Sequence, residues 1–200
     1  MASPLVVMLT GATGRIGGAF ARRVLAAGGK VAAVVRRPWQ VAKVQQELGA
    51  ANVLVGVVGP QDTEAAAGFV KGAQDALGAI TAFVGCAGSR SERVAGREPQ
   101  GDLAEQLEAN LQANATVCRA VLSGMRRRRR GVITFVGAAA GVDAGVNHLA
   151  AKAALAAYAQ QLQLDVLDGG IAVHCVQQPT ADAVLDELAR LLVLSPTRVG

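Results

Sequence analysis

The chain predicts a doubly wound α/β fold, a parallel sheet with helices on both faces. Short β-branched runs alternate with alanine-rich helical stretches, and the runs are nearly continuous in apolar residues, as strands covered on both sides must be. The first run also opens directly into a glycine-rich turn. Two hundred residues, 52% hydrophobic and 18% charged, suit one domain with a substantial core and argue against disorder.

Strands are expected at 5–10, 31–35, 53–58, 81–85, 132–136 and 171–176. Helices are expected at 15–27, 39–48, 62–77, 102–129, 147–167 and 181–193. Gly28-Gly29 and Gly169-Gly170 fall just past helix ends, where glycine takes the left-handed conformation readily. The polar loop 89–101 follows a strand's carboxyl end, the side on which open α/β sheets bind ligands.

The first strand runs into Thr10-Gly11-Ala12-Thr13-Gly14-Arg15-Ile16-Gly17. Gly11 suits the tight exit from the strand, Gly14 the close approach of a pyrophosphate, and Gly17 the packing of the next helix on the sheet. The helix N-terminus then offers unpaired N–H groups to phosphate. A turn without a ligand is the alternative, but the strand-to-helix context favours nucleotide binding. Arg36 and Arg37 close the second strand where an NAD-preferring site would carry Asp or Glu. Guanidinium pairs with a 2′-phosphate, and Arg15 could add to it, so NADP is favoured over NAD. Two solvated arginines without cofactor preference are the competing explanation.

The formal charge of +5 comes from one place, the five arginines 126–130. A solvated helix end stopped by Gly131 is the first explanation, because cations complement the C-terminal dipole. A docking site for phosphates or acidic partners is the second. Aromatics at 3% leave little for base stacking, so nucleic acid is disfavoured. Cys86, Cys118 and Cys175 have no paired spacing and read as buried thiols, with no metal site and no disulfide frame. No signal-peptide pattern and no membrane-length apolar run occurs, so a cytoplasmic protein is expected.

These residues resemble the short-chain dehydrogenase/reductase family over nearly the whole chain. The glycine turn is similar to its cofactor fingerprint in the G-x-x-G-x-x-G spacing. Gly85-Cys86-Ala87-Gly88 falls at the family's Asn-Asn-Ala-Gly segment, with Ala87 and Gly88 kept, and Asn110 matches its catalytic asparagine. Aligned without gaps, residues 131–138 place Ala138 at the family's serine. His148-Leu149-Ala150-Ala151-Lys152 occupies the Tyr-x-x-x-Lys motif, and Pro179-Thr180 the Pro-Gly pair near the nicotinamide.

The resemblance implies a Rossmann-type sheet of order 3-2-1-4-5-6 with the seventh strand absent or rudimentary. It implies a cofactor held by Thr10, Gly11, Thr13, Gly14, Arg15, Ile16, Gly17, Arg36, Arg37, Ala87, Gly88, Lys152 and Pro179. It also implies a catalytic set reduced to Asn110, His148 and Lys152. In the family, tyrosine and serine donate to the substrate carbonyl, lysine supports the tyrosine and asparagine a water relay. Ala138 cannot donate, and a neutral imidazole beside an ammonium is a poor acid. His148 is therefore weighed chiefly as a spectator and secondarily as a replacement acid; Tyr158, ten residues on, is a packing residue.

One domain over 1–200 is expected, without the family's substrate lid, because Thr180 leads at once into the last helix. An NADP(H)-binding protein with little or no carbonyl reductase activity follows. A divergent NADP-dependent oxidoreductase acting on a small carbonyl or alcohol is the alternative. Helices 102–129 and 147–167, rich in alanine, match the family's two-fold interface, so a homodimer or homotetramer is expected.

Overall fold

The computed structural model describes residues 4–90, 96–139, 144–178 and 180–194. Its strands are β1 (Val6–Thr10), β2 (Lys30–Val35), β3 (Val53–Val57), β4 (Ala82–Gly85), β5 (Gly131–Val136) and β6 (Ile171–Val176). The helices are α1 (Arg15–Ala26), α2 (Trp39–Leu48), α3 (Thr63–Leu77), α4 (Asp102–Leu107), α5 (Ala113–Arg128), α6 (Val146–Asp165) and α7 (Ala181–Leu194). All pairings are parallel and the order is β3-β2-β1-β4-β5-β6, with β6 at an edge among the described residues.

The central strands β1, β4 and β5 are buried at every position, which is why they read as unbroken apolar runs. Side chains alternate between two cores. Met8, Phe83, Ile133 and Phe135 face Val117, Val121, Met125 and Leu155 of α5 and α6. Val7, Leu9, Val84 and Val136 face Phe20, Val24, Leu185 and Leu188 of α1 and α7. Tyr158 packs edge-on against Phe135, with ring centroids 5.8 Å apart, as a packing residue should. Strand order reverses between β1 and β4, so a crevice opens at their carboxyl ends.

Two expectations need correction. The stretch 102–129 is not one α-helix: a π-helical turn over Glu108–Gln112 separates α4 from α5. Asn110 explains the break, since its Nδ2 donates to Gln106 O at 3.0 Å, competing for the carbonyl an α-helix gives to the backbone N–H four residues on. Nor does Gly131 stop α5, because it is already the first residue of β5. Arg129 ends the helix in the left-handed conformation, φ 50°.

Arg128 donates to Ile80 O at 2.8 Å and Arg129 to Asp168 O at 2.6 Å. The arginine run thus sits where β4 and β6 begin, at the end of the parallel sheet opposite the crevice. Cys118 is buried and Cys86 and Cys175 are half-buried, all three as free thiols. Among the described residues there is no cluster able to hold a metal and no helix long and apolar enough to cross a membrane.

Candidate functional site

The crevice is built from the ends of β1, β4 and β5 and the start of α6. Gly11 leaves β1 at φ +72°, and a Cβ there would lie 2.5 Å from the Cys86 carbonyl oxygen, so only glycine lets the turn lie against the β4 loop. A side chain on Gly17 would overlap the Gly11 carbonyl, which fixes how closely α1 enters the turn. Gly14 caps α1 without any side-chain hydrogen bond, and no acidic residue stands in the first turn. The amide groups and positive dipole end are thus left for an anion. Thr13 and Ile16 are half-buried beside this turn, and Arg15 is exposed on it.

Gln40, on the first turn of α2, was not singled out by the sequence. Its Oε1 accepts from Arg36 N at 3.1 Å and Arg37 N at 2.9 Å, and its Nε2 reaches Thr13 Oγ1 at 3.5 Å. It therefore fastens the backbone of the arginine pair to the glycine turn while both guanidinium-bearing residues stay exposed. A lone glutamine three residues after an arginine carries no sequence signal for this.

Asn114 was also missed. Thr10 Oγ1 donates to Asn114 Oδ1 at 2.6 Å and accepts from Cys86 N and Ala87 N, each at 3.1 Å. Asn114 Nδ2 donates to Ala87 O at 2.9 Å. This network ties α5 to the ends of β1 and β4 and sets the Ala87-Gly88 backbone. Two amides four apart in an alanine-rich helix, Asn110 and Asn114, are the signal that could have found it.

Asn110, His148 and Lys152 do converge. Lys152 is buried and its Nζ donates to Val136 O at 2.8 Å. Burial lowers its pKa, with the Cys86 and Cys175 thiols acting in the opposite sense. A Cβ on Gly88 would collide with Asn110 Oδ1 and stand 3.4 Å from Lys152 Nζ, so the two side chains flank the same peptide. Asn110 is fully buried, and its Nδ2 donates to Ser89 O at 3.1 Å and to Gln106 Oε1 at 3.1 Å. Its Oδ1 has no partner, an orphaned acceptor beside the crevice.

His148 Nδ1 lies 2.7 Å from Ser89 O, so Ser89 is the meeting point of α6 and the π turn. Burial is the largest cause lowering the His148 pKa; the Ser89 hydrogen bond opposes it, and the Lys152 and Arg90 charges add to it. The ammonium anticipated as the main influence is thus a lesser one. Asn147, next in chain, donates to Asp102 Oδ2 at 2.9 Å and fixes the start of α6 against α4. Ala138, just past β5, is half-buried. Pro179 lies outside the described residues. Residues 177–180 alone connect β6 to α7.

The uncapped helix start, the close-approach glycines and the orphaned Asn110 oxygen fit a dinucleotide with ordered water beside it. Comparison with known proteins agrees. Residues 5–189 match the short chain dehydrogenase family model. The 3-oxoacyl-acyl-carrier-protein reductase of Vibrio cholerae is 28% identical over 176 residues, 86% of this chain and 71% of the relative. The inactive 2-(S)-hydroxypropyl-CoM dehydrogenase 2 of Xanthobacter autotrophicus is 33% identical over 163 residues, 78% of this chain and 69% of the relative. A crystal structure of a short-chain dehydrogenase/reductase family oxidoreductase from Burkholderia thailandensis has a TM-score of 0.79 at 31% identity, covering 93% of this chain and 75% of that one. The chain belongs to the short-chain dehydrogenase/reductase family, an oxidoreductase family that binds nicotinamide dinucleotides.

Proposed function

We propose that the protein binds NADP(H) in this crevice and has little or no conventional carbonyl reductase activity. Thr10, Gly11, Thr13, Gly14, Arg15, Ile16, Gly17, Ala87, Gly88, Lys152 and Pro179 would hold the dinucleotide, with Arg36 and Arg37 on the 2′-phosphate. Bound there, the group supplies hydride exchange at its nicotinamide.

The observation that carries the reading is the contact of the His148 ring with Ser89 O, which, with Ala138 read at the family's serine position, supports a site without a proton donor for a carbonyl. Ala138 has a methyl group, and the His148 Nδ1 is committed to Ser89 O at 2.7 Å. Losing one oxyanion donor lowers rate by about 10²–10³, and losing the general acid by about 10²–10⁴. The short 177–180 connection supports a crevice without a separate lid, where water weakens active-site electrostatics. A relative named as inactive shares 33% of aligned residues, which supports the same outcome here. The helix faces carrying Leu103 and Val146, 46% and 52% exposed, support a homo-oligomer through α4 to α6.

NADPH fluorescence titration alongside a panel of aldehydes and ketones tests the proposal. Micromolar binding without turnover is expected; ordinary enzyme rates would overturn it. A second reading, a divergent oxidoreductase, draws on the convergence of Asn110, Lys152 and the orphaned Oδ1. It requires that His148→Ala abolish turnover of some carbonyl or alcohol while NADPH affinity survives.

A further inference from the structure

Two side chains converge on the Ser89 carbonyl, and that geometry fixes what His148 presents to the crevice. A carbonyl oxygen only accepts, so the Nδ1 that lies 2.7 Å from it carries the hydrogen. In a neutral imidazole the other nitrogen, Nε2, then holds a lone pair and no hydrogen. The anchor is itself braced: Asn110 Nδ2 donates to the same oxygen at 3.1 Å, and Gln106 accepts from Asn110 through both its backbone and its side-chain oxygen. Turning the Ser89 carbonyl away would break its bonds to both the buried Asn110 amide and the His148 ring, which together hold it in place. Burial keeps the ring on the neutral side.

We infer that His148 is a hydrogen-bond acceptor toward this pocket, which therefore takes a hydroxyl-bearing small molecule in preference to the matching carbonyl compound. A hydroxyl donates its hydrogen to Nε2. A carbonyl oxygen in the same place faces a lone pair, with only the Ala138 methyl at the neighbouring family position, and gains a hydrogen bond from neither. The polarity of the family's site is thereby inverted, two donors replaced by one acceptor. The location of the ligand rests on the dinucleotide reading above, whereas the tautomer does not.

Long-range proton–nitrogen correlation spectra of ¹⁵N-labelled protein read the tautomer directly. The chain has two histidines, so His174→Gln assigns the signals. A neutral His148 ring protonated at Nδ1 is expected at pH 7; a ring protonated at Nε2, or at both nitrogens, overturns the inference. Saturation-transfer titration of cyclohexanol and cyclohexanone against NADP-loaded protein reads the ligand class. The alcohol should bind about tenfold more tightly, and His148→Leu should erase the difference. Equal or reversed affinities in the native protein overturn the inference. Absence of NADP binding overturns the dinucleotide reading instead, and the spectrum of the free protein still decides the tautomer.

Discussion

Thr10 and Asn114, 104 positions apart, share a hydrogen bond of 2.6 Å that locks the end of β1 to α5. The same Thr10 oxygen accepts from two backbone amides of the β4 loop. Thr10→Val keeps the shape and removes all three bonds, leaving the Cys86 amide without its acceptor while Ala87 N keeps Asn114 Oδ1 at 3.3 Å. A loss of about 1–3 kcal/mol is expected, read as a lower urea midpoint at unchanged m-value. NADPH affinity should fall as well, because the Ala87-Gly88 backbone loses one of its anchors and is held by Asn114 alone.

Gly14 and Gly17 separate binding from folding. A Cβ at Gly14 would meet only the Gly11 oxygen, at 3.3 Å, whereas one at Gly17 overlaps that oxygen outright. Gly14→Ala should fold with a melting temperature close to the native one and bind NADPH about tenfold more weakly, by crowding the pyrophosphate. Gly17→Ala should be grossly destabilised. Melting curves and fluorescence titration on both variants distinguish a cradle for phosphate from a merely tight turn.

The arginine pair gives the cofactor preference a direct test. Gln40 holds the Arg36 and Arg37 amides against the glycine turn. If their guanidinium groups meet the 2′-phosphate, Arg36→Ala with Arg37→Ala should weaken NADPH by about 10–100-fold, the worth of charge-assisted hydrogen bonds. NADH affinity should hardly change. Equal losses for both cofactors would refute a 2′-phosphate role.

Much of the fold was legible because the strands are nearly unbroken apolar runs and several turns carry a glycine. Element bounds fall within a residue or two of expectation, apart from the break at 108–112. That break was hidden because it depends on where one amide side chain finds its partner, Gln106 O, and periodicity is blind to that. The convergence of Asn110, His148 and Lys152 was anticipated by resemblance. The Ser89 carbonyl that organises two of them was not, since a backbone oxygen has no sequence signature. Gly131 misled for a related reason: glycine is the usual helix stop, but here it is needed against the Met125 side chain, and Arg129 takes the left-handed position.

Arg129 makes that substitution of roles measurable. A non-glycine residue at φ 50° is strained, and glycine relieves the strain. Arg129→Gly and Arg129→Ala both delete the bond to Asp168 O, so the difference between them isolates the backbone. The glycine variant should be more stable by about 1 kcal/mol. Identical urea midpoints would place no strain at this residue.

Alkaline stability should be governed in part by Cys118. Burial pushes this thiol from 9.0 up to about 12, with a hydrogen bond from Tyr158 acting the other way. Above pH 9 the unfolded chain ionises the thiol while the folded one keeps its proton, so the unfolded state binds fewer protons and stability falls as pH rises. The contribution is whole below pH 9 and is lost on the way to pH 12, at up to about 1.4 kcal/mol per pH unit for one group. Cys118→Ala removes that slope while lowering stability by a pH-independent amount for the lost packing. Urea midpoints at pH 7.5, 9 and 10.5 should therefore converge for native and variant protein as pH increases, and parallel curves would show that the thiol titrates alike in both states.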